Sequence, residues 1–227
     1  MTISSKSNKQ TTNGSTATNR RGYILIGLSG TNGAGKDSVG LLLEARAGFK
    51  FISLTDMLRE EAVRRGQPIE RSVLREISRQ WRHERGGGVL VDVAIDHYEA
   101  QFRDSHPVGL AVASLRNKAE PDTIHAYGGV VVWVDGDPQI RYNRIQRDRH
   151  RRGESRAAED NITFEQFTAE EHAELFGYSD DPHSIKMADV KVKADSTIIN
   201  DIMIEGDAGH EALWQTITRT LKLKPTA

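Results

Sequence analysis

The residues at positions 27–38, GLSGTNGAGKDS, have the types and spacing that hold phosphate groups. The pattern G-x-x-x-x-G-K is formed by Gly30, Thr31, Asn32, Gly33, Ala34, Gly35 and Lys36. Its glycines let consecutive backbone N–H groups turn towards one centre, and a helix that begins there adds the positive end of its dipole. The Lys36 ammonium adds a mobile charge for the outer phosphates of a nucleotide. The spacing therefore predicts a phosphate-binding loop.

Asp37 stands where this pattern ordinarily has a hydroxyl residue that contacts Mg²⁺. A carboxylate beside phosphates is unfavourable unless it faces away from them or towards the metal ion. Ser38 can supply the hydroxyl one position later. We expect ATP and Mg²⁺ as cofactors, with Asp37 or Ser38 at the metal, and the spacing does not choose between the two residues.

The elements around the loop alternate between strands and helices. An apolar run at 23–28 precedes the loop, and a helical pattern follows it at 38–43. Four further apolar runs predict strands at 49–53, 108–113, 130–135 and 195–200. Helices are predicted from 54 and from 163, and at 69–84, 89–102, 137–149 and 209–222. The alternation predicts an α/β fold of three layers, a central parallel sheet of about five strands with helices on both faces.

Composition narrows the class of protein further. The 227 residues suffice for one α/β domain with small inserts, and the absence of cysteine excludes disulfides and thiolate metal sites. The net charge of −1 gives no reason to expect nucleic acid as the main partner, and no apolar run is long enough to span a bilayer. The polar residues 1–21 predict a disordered tail without a secretory signal, so a cytoplasmic location is expected.

The loop resembles those of small-molecule kinases. Its G-K-D-S form at 35–38 is similar to the G-K-x-[ST] loop of adenylate kinases and the G-K-D-[ST] loop of phage deoxynucleoside monophosphate kinases. The segment ISLTDMLR at 52–59 is similar to the adenylate kinase segment that ends the second strand and holds the acceptor phosphate. The resemblance implies that Arg59 clamps this phosphate, while Leu54 replaces the threonine that contacts the acceptor in that family.

Asp56 has two interpretations. The pattern Ser53-x-x-Asp56 is a capping box, and we favour this structural role. In dephospho-CoA kinases, which the chain also resembles, an aspartate after this strand acts as a base towards a ribose hydroxyl. Residues 113–116, Ala-Ser-Leu-Arg, resemble the D-G-x-x-R segment of these kinases, which implies that Arg116 is a second ligand of the acceptor phosphate. Ala113 replaces the aspartate of that segment, so an indirect contact to Mg²⁺ is missing.

Seven arginines occur between positions 141 and 156. A charged run is usually a solvated face or a nucleic-acid patch, but this one follows the fourth strand, where these kinases have an arginine helix that leads into a lid. The resemblance implies an Arg-rich lid at about 141–162, in which Arg144 and Arg147 close over ATP. It places Asn200 near the adenine. It also implies one kinase domain at 22–227, with an acceptor-binding insert at about 54–106.

These features predict an ATP-dependent phosphotransferase with a small-molecule acceptor. A nucleoside or deoxynucleoside monophosphate is the first choice, and the ribose hydroxyl of dephospho-CoA is the second. The missing carboxylate at Ala113 leaves open a slow or non-catalytic ATP-binding regulator. An RNA-linked NTPase agrees poorly with the near-neutral charge, and a GTPase would need an N-K-x-D motif that is absent. The sequence sets neither the acceptor nor the oligomeric state.

Overall fold

The structure, a computed structural model, describes residues 21–106, 108–148, 161–177 and 185–223. Of the predicted tail at 1–21, only Arg21 falls within these ranges, so disorder of the tail stays a prediction. Of the predicted lid, residues 141–148 and 161–162 are described, and the other residues of the lid lie outside. No helix in the described ranges is both long enough and apolar enough to cross a membrane.

The centre of the fold is a sheet of five parallel strands. The strands are β1 Ile24–Gly30, β2 Phe49–Ser53, β3 Gly109–Ala113, β4 Val130–Asp135 and β5 Ser196–Ile199. Their order across the sheet is β2-β3-β1-β4-β5, so β1 lies in the middle and pairs with β3 and β4. The number of strands and their parallel direction confirm the prediction from the sequence.

Nine helices connect or flank these strands in the described ranges. They are α1 Lys36–Ala47, α2 Leu54–Arg64, α3 Arg71–Arg85, α4 Val89–Gln101, α5 Ala119–Ala126, α6 Pro138–Asp148, α7 Phe164–Phe176, α8 Met187–Val192 and α9 Gly206–Leu221. The capping box predicted at the start of α7 is present, because Thr163 and Gln166 exchange both of its hydrogen bonds. The prediction omitted α5 and α8, because helices of eight and six residues have too few turns to show an apolar period.

Two apolar layers lie on opposite faces of the sheet. Side chains alternate along β1, so Leu25 belongs to one layer while Ile26 and Leu28 belong to the other. The first layer includes Ile95 of α4 and packs against helices α2 to α5. The second includes Ile217 and packs against α1 and α9. The predicted three-layer arrangement is therefore confirmed.

The carboxyl ends of the five strands meet at one edge of the sheet. The loop at 30–36 follows β1, and polar residues stand at or just after the ends of the other strands: Ser53, Ser114, Asp135 and Asn200. In open parallel sheets the ligand crevice forms at this edge, where the strand order reverses. Because the order reverses at β1, the predicted phosphate-binding loop lies in the crevice.

Candidate functional site

The loop at 30–36 is held in a conformation that glycine favours. Gly33 and Gly35 have positive φ angles of 75° and 93°. A Cβ atom at Gly35 would lie 2.7 Å from Nδ2 of Asn200, so a side chain there would clash as well as strain the backbone. The same Nδ2 donates a hydrogen bond to the carbonyl oxygen of Ala34 at 2.8 Å. Asn200, predicted to lie near a nucleotide base, therefore holds the loop itself.

Lys36 is the first residue of α1, and its side chain returns over the loop. Its Nζ donates to the carbonyl oxygens of Gly30 and Thr31, at 2.9 and 2.7 Å. Burial, together with the nearby positive charge of Arg116, lowers the pKa of Lys36 to about 8. The carboxylates of Asp37 and Glu174 act in the opposite direction, but burial and the charge of Arg116 outweigh them.

Asp135, at the end of β4, supports the loop from the other side. Its carboxylate accepts hydrogen bonds from Oγ1 of Thr31 at 2.9 Å, from Nε1 of Trp133 at 3.0 Å and from the N–H of Gly136 at 3.0 Å. Burial opposes ionisation, but these hydrogen bonds outweigh it and keep the pKa of Asp135 below its ordinary value. Asp135 was not among the site residues predicted from the sequence, where its signal was a carboxylate at the end of a predicted strand.

Two cavities open on either side of the start of α1. We call the first, of about 590 Å³, the arginine cavity, and the second, of about 510 Å³, the Asn200 cavity. Asp37 lines the arginine cavity and Ser38 lines the Asn200 cavity. Consecutive helical residues point about 100° apart, which separates the carboxylate from the hydroxyl. The two candidate metal ligands therefore face different compartments.

Six residues of the segment at 53–59 line the arginine cavity: Ser53, Leu54, Thr55, Asp56, Leu58 and Arg59. Oγ of Ser53 accepts a hydrogen bond from the N–H of Asp56 at 3.4 Å, which is the N-cap half of the predicted capping box. The Asp56 carboxylate accepts a hydrogen bond from Nη1 of Arg59. Asp56 and Arg59 both line the arginine cavity, so either residue can meet a molecule held there.

Arg116 reaches the same cavity from the loop after β3. Ser114, two residues earlier, has a φ of 72°, which is strained for any residue except glycine. Nη1 of Arg116 donates to Oε1 of Glu174 in α7 at 3.1 Å. Burial opposes ionisation of Glu174, but the charges of Arg116, Arg71 and Lys36 outweigh it and lower the pKa of this carboxyl. Glu174 thus occupies a place where three cations converge.

Ala113 ends β3 and is fully buried against its neighbours in the sheet. The strand next to β1 therefore ends on an apolar side chain, at the position where the D-G-x-x-R segment of the kinases that it resembles has an aspartate. In the described ranges, no group of three or more histidine, aspartate or glutamate side chains is arranged to hold a metal ion.

The three arginines of α6 that the structure describes have different partners. Arg144 donates through Nη2 to the carbonyl oxygens of Asn200 and Ile202, at 2.8 and 2.7 Å, and it lines the Asn200 cavity. Arg147 lines the same cavity, and its exposed guanidinium is paired with Asp148 and Glu205. Both residues chosen from the sequence therefore lie on the side of Ser38, across α1 from Arg59 and Arg116.

Arg141 is the residue of this run that the sequence analysis undervalued. Its side chain is 2% exposed and donates to the carbonyl oxygens of Asn32 and Gly136, at 3.0 and 2.8 Å. It also pairs with both carboxylate oxygens of Glu171 in α7, at 2.5 and 2.9 Å. Arg141 therefore joins the loop, β4 and α7 from a buried position.

Helix α3 contributes three arginines to the arginine cavity that sequence reasoning missed. Arg71, Arg75 and Arg82 line the cavity, with Leu74 and Ser78 between them on the same helix face. The sequence did contain a signal for this face. Positions 71, 75, 78 and 82 are separated by four, three and four residues, a spacing that keeps their side chains on one face of a helix. Arg82 forms a salt bridge with Glu120, whose carboxylate lies 2.8 Å away and is fully buried.

Comparison with solved structures identifies the class of fold. The crystal structure of a shikimate kinase from Bacteroides thetaiotaomicron matches with a TM-score of 0.52 and 18% identity, over 88% of this chain and 99% of that chain. The parallel sheet, the loop after β1 and the helices on both faces therefore form the P-loop kinase fold. The fold class predicted from the sequence is confirmed.

The chain is also similar in sequence to two further proteins. A UPF0200 protein of Thermococcus kodakarensis is 26% identical over 157 residues, which are 67% of this chain and 79% of that protein. A Methanosarcina mazei protein provisionally named an adenylate kinase is 55% identical over 38 residues, which are 17% of this chain and 19% of that protein. No protein-family model matches the chain. The resemblance to P-loop kinases stated from the sequence is confirmed by these likenesses.

Proposed function

We propose that this protein transfers the γ-phosphate of ATP to a small nucleotide-like acceptor, with a nucleoside or deoxynucleoside monophosphate as the first choice. One observation carries the proposal: Lys36 of the phosphate-binding loop lines the same cavity as Arg59 and Arg116. A donor phosphate on the loop would therefore face an acceptor held by two guanidinium groups. Guanidinium groups match the geometry and charge of phosphate oxygens.

The donor would occupy the loop and the Asn200 cavity. The N–H groups of the loop and the Lys36 ammonium would bind the β- and γ-phosphates, while Ser38, Arg144 and Asn200 line the space for the rest of ATP. Mg²⁺ would neutralise phosphate charge during transfer. Asp37 fits such a metal, because its exposed carboxylate faces the same cavity as Lys36, and Mg²⁺ is commonly held by one or two carboxylates and substrate phosphates.

Transfer in this site would depend on position and charge. Phosphoryl transfer requires aligned reactants and neutralised oxygens more than covalent participation by the protein. Arg59 and Arg116 would fix the acceptor, and Arg144 and Arg147 would stabilise ATP from the opposite side of α1. A monophosphate acceptor attacks through an oxygen that is already ionised, so this reaction needs no strong base.

The second candidate acceptor is a hydroxyl, as in dephospho-CoA. The observation that favours it is the Asp56 carboxylate at the wall of the arginine cavity, where it could accept the hydroxyl proton. The variant Asp56→Asn separates the two acceptors. We expect full turnover with a monophosphate and a loss of at least a hundredfold in kcat with a hydroxyl acceptor, in line with removal of a general base.

A slow ATP-binding regulator is the third candidate, favoured by the buried Ala113 where related kinases have a carboxylate. A screen of ATP consumption decides between kinase and regulator. The panel contains ribo- and deoxyribonucleoside monophosphates, dephospho-CoA, shikimate and gluconate, each with Mg²⁺. Acceptor-dependent consumption that Arg59→Gln abolishes and Arg79→Gln preserves supports the kinase. Arg79 is the matched control, since it pairs with Glu76 on the surface of α3. ATP consumption that no acceptor increases would contradict the proposal.

The role of Asp37 has a separate test. If its carboxylate binds the metal, Asp37→Ala should raise the Mg²⁺ concentration that gives half-maximal activity, and Ser38→Ala should raise it less. An unchanged Mg²⁺ requirement in Asp37→Ala would exclude Asp37 as a metal ligand. Thermal stabilisation by Mg-ATP gives the same comparison without turnover.

A further inference from the structure

The arginine cavity contains more positive charge than one phosphate group needs. Its described lining includes six basic side chains, Lys36, Arg59, Arg71, Arg75, Arg82 and Arg116, and three carboxylates, Asp37, Asp56 and Glu174. In the proposed function Lys36 serves the donor, and Arg59 and Arg116 serve the acceptor phosphate. Arg82 is tied to Glu120 in a buried pair and serves the structure. Arg71 and Arg75 have no part in that scheme.

Arg71 and Arg75 lie one turn apart on α3, on the face that lines the cavity. Side chains at this spacing start about 5–6 Å apart, and two like charges there disfavour an isolated helix. An anion between them turns this repulsion into attraction and can be contacted by both guanidinium groups. The arrangement is therefore suited to a bound anion.

Arg71 faces carboxylates of α7: it hydrogen-bonds to Glu170, and its charge acts on Glu174 in the cavity. Arg71 donates to Glu170 of α7 at 3.2 Å, and both side chains are well exposed, at 37% and 48%. Exposed ion pairs contribute little to stability, so an incoming anion can displace this contact at small cost. Arg75 is exposed at the wall of the same cavity.

Apolar side chains complete this part of the wall. Leu74 lies between the two arginines, and Ile69 lies just before α3. Leu54 and Leu58 of α2 line the cavity as well. A ligand with a flat or aliphatic body between two charged groups would cover these surfaces while both charges met arginines.

We infer that the acceptor carries two separate anionic groups, one held by Arg59 and Arg116 and a second held by Arg71 and Arg75. This inference rests on the proposed function for the identity of the first group. It narrows the nucleotide-like acceptor of the proposed function to a nucleotide that carries a second phosphate away from the group that is phosphorylated. Arg75 is then a residue that determines specificity.

Binding calorimetry of the full chain tests the inference without ATP or metal. The probes are the four ribonucleoside 5′-monophosphates and the corresponding 3′,5′-bisphosphates. We expect at least one bisphosphate to bind tenfold or more tightly than its monophosphate, a difference of about 1.4 kcal/mol. In Arg75→Gln this ratio should fall towards one, while Arg79→Gln, one turn further along α3 and outside the cavity lining, should keep it.

Two results would overturn the inference. One is the absence of any bisphosphate that binds more tightly than its monophosphate, and the other is a ratio that Arg75→Gln leaves unchanged. Neither result affects the proposed function, which depends on acceptor-dependent ATP consumption. Conversely, a bisphosphate preference in a protein that never consumes ATP would support the two-anion site and remove the kinase proposal.

Discussion

Replacing Arg141 with methionine should be the most destabilising change among the three arginines that α6 places at 141, 144 and 147. Methionine has nearly the same helix propensity as arginine, so the change removes charge and hydrogen bonds while the helix is retained. The substitution leaves the carboxylate of Glu171 without its two guanidinium contacts, at 2.5 and 2.9 Å, in a position only 14% exposed. It also leaves the carbonyl oxygens of Asn32 and Gly136 without this donor.

The magnitude follows from burial. Breaking a buried ion pair by removing one partner costs about 3–5 kcal/mol, and the slight exposure of Glu171 places this case near the lower end. For a chain of this length a loss of about 3 kcal/mol lowers Tm by about 6–12 °C. The same substitution at Arg147, which is 45% exposed, should cost less than about 1 kcal/mol.

Urea unfolding of the two variants, followed by circular dichroism, measures these differences directly. A double-mutant cycle with Glu171→Gln then isolates the pair. The double variant should be more stable than the sum of the single losses predicts, because it leaves no unpaired buried charge. Equal losses of unfolding free energy for Arg141→Met and Arg147→Met, or strict additivity in the cycle, would refute the conclusion that Arg141 joins the loop, β4 and α7 from a buried position.

Three further outcomes follow from the site. Nucleotide affinity should fall up to tenfold per pH unit as the pH rises above about 8, because bound phosphates favour the protonated form of Lys36. Calorimetry that finds no proton uptake on nucleotide binding above pH 8 would contradict this prediction. Ser114→Gly should raise the free energy of unfolding by up to about 1 kcal/mol through relief of its positive φ, and a decrease in urea unfolding would show that serine contacts outweigh the strain. Asn200→Ala should weaken nucleotide binding and cost about 1 kcal/mol, since the bond to Ala34 is lost; an unchanged Kd would remove Asn200 as a support of the loop.

The sequence predicted the scaffold well because the scaffold depends on local patterns. Short apolar runs gave all five strands, and the glycines and lysine at 30–36 predicted the loop between β1 and α1. The capping pattern at Thr163 predicted the residue at which α7 begins. Each of these signals is contained within about ten residues, so the rest of the chain was not needed to interpret them.

The sequence could not assign the roles of the arginines, because these depend on distant partners. Arg141, Arg144 and Arg147 have the same spacing and charge, yet their partners are Glu171, the carbonyl of Asn200 and the exposed Glu205. The face of α3 was missed for the same reason, since only the fold brings Arg71 and Arg75 to the cavity that Lys36 also lines. The acceptor depends on the shape of this cavity and stays a proposal.

Because Asp37 and Ser38 line different cavities, the length of the loop is a functional constraint. An inserted or deleted residue between Gly35 and Ser38 would rotate the first turn of α1 by about 100° relative to the sheet, in opposite directions for the two changes. In either case the carboxylate and the hydroxyl would no longer both face the cavities that they line now. The residue count between Gly35 and Ser38 is therefore constrained along with the identity of Lys36. Aligned homologues that keep Lys36 should differ in composition at 37 and 38 before they differ by a gap.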